Sequence, residues 1–137
     1  MITPEQIAKG GSEFSHQTAL FAWAAYAIGK YPELEYFHAI KNEERSGNVI
    51  AGARAKQSGI KKGVSDTFLP VRRGDYSGLY IEMKKPSAKP KKKTSMGGVT
   101  KEQLKFGSFV QSQGFGFVVC YSWEDAKNIL IQYLEQK

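Results

Sequence analysis

Apolar positions in this chain follow a period near 3.6 in some stretches and near 2 in others. Residues 12–29 read as a long helix. Ser12 can cap its start, and Gly29 with Pro32 beyond marks its stop. Phe14, Phe21, Ala24, Ala25 and Ile28 form one apolar stripe, with Glu13, Gln17 and Leu20 on a neighbouring one. Thr3-Pro4 opens a shorter turn ahead of it. LEYFHAIKN (34–42) predicts a strand and NVIAGARAKQSG (48–59) a short helix. The loop GIKKGVSD leads into a strand TFLPVRR, where Pro70 points to an edge, a bulge or an early end. GDYSG then predicts a hairpin turn, and LYIEMKK the returning antiparallel strand.

PSAKPKKKTSMGG breaks all periodicity and reads as a mobile basic loop, flexible over about 85–98. Residues 99–114 form a helix, with Thr100 and Gln103 spaced as a capping box and Gly114 as its stop. FGFVVCY is wholly apolar, the pattern of a strand buried on both faces. SWEDAKNILIQYLEQ closes the chain as a helix capped by Ser122, with Glu124 and Asp125 at its positive end. The order α-β-α-β-β-α-β-α predicts one domain over 1–137. Its class is α/β, a mixed central β-sheet flanked by helices.

At 137 residues the chain is long enough to bury a core without disulfides, and Cys120 is its one cysteine. A Cys-based zinc site is unexpected, and Cys120, inside FVVCY, reads as core. No segment offers the roughly 20 apolar residues of a membrane span. The N-terminus lacks the basic start of a signal peptide, so a cytoplasmic protein is expected. Twenty Lys+Arg against thirteen Asp+Glu give a net charge of +7, which favours a nucleic-acid partner over other surfaces.

The candidate chemistry lies on the second hairpin strand. Leu79, Ile81 and Met83 alternate with Tyr80, Glu82 and Lys84, so a carboxylate and an ammonium share one face. The hairpin brings Asp66, at the start of the partner strand, towards the same end. Two adjacent carboxylates repel unless a cation neutralises them. Mg²⁺ suits one or two carboxylates, and the main-chain carbonyl of Met83 could add an oxygen. Lys84 would then face the attacking water or the charge developing on a phosphate. The plainer alternative is an exposed ion pair worth little. Asp66 could simply cap a turn, Gln103 could serve only the capping box, and Glu13 could be first-turn helix decoration. His16 reads as an ordinary surface or half-buried histidine, and His38 as structural.

Taken together, Glu13 and Gln17 in an early helix, Gly63-Val64-Ser65-Asp66, the Glu82-Met83-Lys84 strand and Gln103 resemble the PD-(D/E)xK nuclease superfamily. The closest similarity is to its VRR-NUC, or virus-type replication-repair nuclease, family. The likeness covers most of the chain. Ser65 departs from it by standing where the superfamily's name has proline, which is not a ligand. The resemblance implies a restriction-endonuclease-like core and metal-dependent hydrolysis of DNA phosphodiesters. Asp66 and Glu82 would bind one or two Mg²⁺ or Mn²⁺ ions, and Lys84 would orient water or stabilise charge. Gln103 would support the site, and Glu13 would complete or abut the metal shell. It further implies a stand-alone, phage-like homodimer in the host cytoplasm, acting on branched DNA such as four-way junctions.

Lys84, Lys85, Lys89, Lys91, Lys92 and Lys93 fall within ten residues of one another, beside that strand. They read as a phosphate clamp, extended by Arg72, Arg73, Lys101 and Lys105; the alternative is a solvated loop. Arg45, Arg54, Lys56, Lys61 and Lys62 form a candidate second patch. The competing functions are a restriction-type duplex endonuclease and a basic DNA-binding module without catalysis.

Overall fold

The computed structural model describes residues 1–41 and 49–137. Five helices are described: α1 (Pro4–Ala8), α2 (Glu13–Ala27), α3 (Val49–Gln57), α4 (Lys101–Ser112) and α5 (Trp123–Leu134). Four strands, β1 (His38–Ala39), β2 (Thr67–Leu69), β3 (Leu79–Met83) and β4 (Gly116–Cys120), form one sheet in that order. β1 and β2 pair antiparallel, as do β2 and β3, whereas β3 and β4 are parallel. A parallel pair needs a crossover, and α4 supplies it. The expected mixed sheet with flanking helices is therefore present.

One sheet face carries the core. Leu69, Leu79, Ile81, Met83 and Cys120 pack there with Leu20 and Ala24 of α2 and Trp123, Ala126 and Leu130 of α5. His16 joins the two helices. Its buried Nδ1 accepts the Trp123 N–H at 3.0 Å, which makes it a structural residue.

Three expectations need correction. The stripe of α2 is out of phase: His16, Ala19, Leu20 and Ala24 are buried, while Phe14 and Ala25 are exposed. A helix apolar nearly all round leaves its orientation to tertiary packing. The strand expected over 34–42 is instead a 3-10 turn, Pro32–Tyr36, followed by two strand residues. Leu34 and Phe37 are buried in the turn, and Phe37 stacks on Phe21 at 4.6 Å. Of the outcomes open at Pro70, the early end holds: β2 stops at Leu69, because Pro70 can offer no N–H to the ladder, and it lies inside the sheet. β4 is the outermost strand, with Phe117, Val118 and Val119 only half-buried, and so is not covered on both faces.

The hairpin turn forms as expected, closed by a bridge between Arg73 and Tyr76 with Gly74 at φ 55. Both capping residues of α4 and α5 also hold. Thr100 Oγ1 accepts from the Gln103 N–H at 3.1 Å, and Ser122 Oγ from the Asp125 N–H at 3.1 Å.

Candidate active site

Strand alternation puts Glu82 and Lys84 on the sheet face opposite the core, but that face is not solvated at this end. Glu82 is 1% exposed and Lys84 8% exposed. The reading of an exposed ion pair is thus overturned. Lys84 Nζ lies 3.4 Å from Glu82 Oε1.

The β2–β3 register pairs Thr67 with Ile81, so the next residues outward, Asp66 and Glu82, stand opposite each other. Asp66 Oδ2 accepts the Met83 N–H at 2.8 Å, and the Asp66 carbonyl accepts the Ile40 N–H at 2.7 Å. These bonds hold the carboxylate against the open end of β3. The Lys84 N–H turns the other way, to the Cys120 carbonyl at 2.8 Å. Backbone groups along a strand alternate sides, so the Met83 carbonyl lies on the Asp66 side.

Gln103 arrives from the crossover helix. Its Oε1 accepts the Thr100 N–H at 2.9 Å, completing the capping box, and its Nε2 donates to Glu82 Oε1 at 2.7 Å. The capping role and the site role therefore belong to one side chain. Gly63 allows α4 to come this close. A Cβ at Gly63 would lie 2.4 Å from the Glu102 carbonyl oxygen, and its φ of +87° already favours glycine. The sequence flagged Gly63 only as part of GVSD; its positioning role shows in the packing.

Glu82 Oε1 thus has two donors, whereas Oε2 is buried with no hydrogen-bond partner. Burial, with the Asp66 charge alongside, pushes the Glu82 carboxyl up to about 8 against the pull of Lys84. An ionised Glu82 beside Asp66 leaves charge that one lysine does not offset. Two carboxylates, one of them with an orphaned buried oxygen, and a main-chain carbonyl form a hard oxygen donor set. That set fits Mg²⁺ or Mn²⁺, which take few protein carboxylates and keep other positions for water and phosphate. Among the described residues, no group of three or more His, Cys, Asp or Glu side chains is gathered to hold a metal ion.

Glu13 opens α2 and is half-buried, as is Gln17 one turn on. The structure does not add Glu13 to a three-carboxylate cluster with Asp66 and Glu82. Lys85, Lys89, Lys91, Lys92 and Lys93 are exposed on the segment leaving the site, and Lys101 and Lys105 on α4. That segment is coil with a 3-10 turn at Pro86–Ala88. It returns through Gly97, where a Cβ would strike the Tyr121 hydroxyl, to Gly98 beside the Lys84 stem.

Arg72 and Arg73 do not extend this patch. They sit at the turn, at the Leu79 end of β3, away from Glu82. Arg73 is committed to an ion pair with Glu33 and donates to the Leu134 carbonyl at 3.2 Å. Arg54 and Lys56 lie in the last turn of α3, with Lys61 and Lys62 exposed just beyond; Arg45 falls outside the described residues. Cys120 is buried, and burial with Asp125 nearby pushes its thiol up to about 12, which rules out a thiolate nucleophile. Among the described residues, no helix is long and apolar enough to cross a membrane.

No family model matches the chain, and no curated protein does. A solved structure described as a VRR_NUC domain protein superposes with a TM-score of 0.68. The match covers 91% of this chain and 89% of that one, at 23% sequence identity. The chain therefore has that fold, over nearly the full length of both proteins.

Proposed function

We propose that this protein is a VRR-NUC-type nuclease that hydrolyses DNA phosphodiester bonds with a divalent cation, Mg²⁺ or Mn²⁺. The observation that carries the proposal is Glu82. It is a buried carboxylate beside Asp66, with one oxygen held by Gln103 and Lys84 and the other without a hydrogen-bond partner. A purely structural carboxylate at such a depth would have both oxygens satisfied.

Asp66, Glu82 and the Met83 carbonyl would hold the cation, and Glu13 is the side chain proposed to abut it. Bound there, the cation supplies Lewis-acid stabilisation of the charge that develops on the phosphate. The chain's own residues do the rest. Lys84, held near the carboxylates by Glu82, presents an ammonium to the attacked phosphate or orients the attacking water. Gln103 fixes the rotamer of Glu82. The exposed lysines from Lys85 to Lys93, with Lys101 and Lys105, draw in the phosphate backbone without reading sequence. Contacts of that kind carry no sequence information, which favours recognition of shape, and branched DNA such as a four-way junction is the proposed substrate.

The test is cleavage of labelled linear duplex, flap, fork and four-way junction DNA in Mg²⁺, Mn²⁺ or EDTA. It is run beside Glu82→Ala and Lys84→Ala. Metal-dependent cutting of branched DNA by the wild type alone is the expected result. Shifted but uncut DNA on every substrate would leave a basic binding module. Recurrent cuts at one short duplex sequence would move the assignment to a restriction-type enzyme.

A further inference from the structure

An aromatic row crosses the sheet beside the carboxylates. The register pairs His38 with Phe68, Phe68 with Tyr80 and Tyr80 with Phe117, one ring from each strand. Paired residues share a face, so all four lie on the face of Glu82 and Lys84. Tyr80 precedes Glu82 by two residues, and Phe68 follows Asp66 by two. The row therefore runs about 7 Å from the pair of carboxylates.

Part of this row is ordinary packing. Phe106 of α4 meets Tyr80 edge-on at 5.2 Å, and Phe115 does so at 5.6 Å. A Cβ on Gly107 would lie 2.5 Å from the Phe117 ring, so α4 rests there too. Phe68 and His38 stand one and two strands beyond Tyr80, away from β4. Phe68 stacks on Tyr80 with ring centroids 4.3 Å apart, and His38 meets Phe68 at 5.9 Å. Phe68 is half-buried and His38 is exposed. The His38 ring is nonetheless fixed, because its Nδ1–H donates to the Tyr36 carbonyl at 2.9 Å. That bond is the structural role expected of His38, and it leaves a pre-set ring at the open end of a stack.

The surrounding charge says what extends the stack. The exposed lysines that begin at Lys85 lie past the carboxylates, on the side away from the row. A ligand spanning both brings a negative backbone and flat rings joined to it, as a nucleic-acid strand does. In a duplex the base edges show in the grooves while the faces are covered by neighbours. A base lies on a protein ring only when it is unpaired and out of the stack. Every base has such a face, so the contact is indifferent to sequence.

We propose that His38 and Phe68, backed by Tyr80, form a shelf on which one unpaired DNA base stacks, next to the phosphate at Asp66 and Glu82. The place of that phosphate rests on the nuclease reading; the stacking does not. The strand selected is single-stranded at the cut, as at a flap, a gap or an opened branch point, rather than a fully paired arm.

The test uses the full chain in EDTA, so that nothing is cut. Fluorescence anisotropy gives its affinity for a single DNA strand, for an abasic strand with the same number of phosphates, and for a blunt duplex. The wild type should bind the strand with bases about 5–100-fold more tightly than the abasic one. His38→Ala should lose about 5-fold or more on the strand with bases and nothing on the abasic strand or the duplex. Phe68→Leu, which keeps an apolar side chain without a ring, should behave alike, and Phe68→Tyr should bind as the wild type does. A loss confined to strands with bases is a coupling between ring and base, which a merely structural role does not produce. Equal wild-type affinity for the two single strands would overturn the proposal. So would a His38→Ala variant that binds as the wild type does or is weakened equally on both strands. His38 is exposed, so its variant decides the matter even if Phe68→Leu fails to fold. No readout involves metal or cleavage, so failure here leaves the nuclease assignment standing, and an inactive enzyme leaves the shelf standing.

Discussion

Gln103 donates to Glu82 at 2.7 Å with the amide nitrogen while the amide oxygen is occupied by the helix cap at Thr100. The cap therefore settles which way the amide points, and the donor is aimed before any substrate binds. Gln103→Glu keeps an oxygen for the Thr100 N–H but replaces the donor with a third carboxylate near the site. Supporting residues of this kind cost about 10–100-fold in metal affinity or activity when changed. Cleavage in Gln103→Glu should fall within that range with the melting temperature little changed. Gln103→Ala should also lose about 1 kcal/mol of stability with the cap. Equal melting losses in both variants, with activity retained, would reduce Gln103 to a cap.

The raised carboxyl of Glu82 makes the metal-free protein pH-dependent. Its value rises from 4.5 to about 8 on folding, so the folded state holds more protons between those limits. Stability from this group is fully present below about 4.5 and is lost as pH climbs through about 8. Urea midpoints measured in EDTA should decline over that window, and Glu82→Gln, which mimics the neutral acid, should flatten the decline. Divalent cations displace the proton, so their affinity should increase with pH up to about 8. A metal affinity independent of pH over the window would contradict the assignment of Glu82 as a ligand.

Gly63 presses against the backbone of Glu102 in a left-handed conformation. Gly63→Ala adds both a clash and backbone strain, at a cost of about 1–3 kcal/mol. It should also move the start of α4 and weaken the Gln103–Glu82 bond. The variant should therefore lose activity at temperatures where circular dichroism still reports a folded chain.

Ser65 sits at 0% exposure with its hydroxyl unpaired. Removing an unsatisfied buried hydroxyl relieves a desolvation cost on the order of 1 kcal/mol. Ser65→Ala should accordingly raise the melting temperature and leave cleavage unchanged. A lower melting temperature would mean that the lost side-chain volume matters more than the relieved desolvation.

Salt should report on the lysines. Each phosphate neutralised contributes about 0.9 to the slope of log affinity against log salt. Replacing Lys91, Lys92 and Lys93 by Gln should lower the slope by up to about 3, whereas Arg73→Gln should leave it as it was. An unchanged slope in the triple variant would show that these lysines do not touch DNA.

Local chemistry written in the sequence was readable, and its tertiary cover was not. The capping box of α4, the turn at Gly74 and the shared face of Glu82 and Lys84 depend on neighbours a few residues away. The burial of Glu82 depends on α4 folding back over the strand, which the period-2 pattern of LYIEMKK cannot encode. The phase of α2 was hidden because Phe14, Leu20 and Ala24 are all apolar, and only packing against α5 distinguishes them. FGFVVCY was misplaced for a related reason. An apolar strand in the middle of a sheet and one at its edge can have the same composition.

The basic segment between Lys84 and Gly97 leaves the sheet at one fixed point and returns at another. Lys84 is tied to β4 through its N–H, and Gly97 is pressed on Tyr121. Neither end transmits the segment's length to Asp66, Glu82 or Gln103. Residues can be inserted or deleted there for little more than the entropy of closing a longer loop. On the proposed reading, the cation site and the phosphate-binding lysines thus lie on separately variable stretches of chain, and an engineer could exchange the second without rebuilding the first.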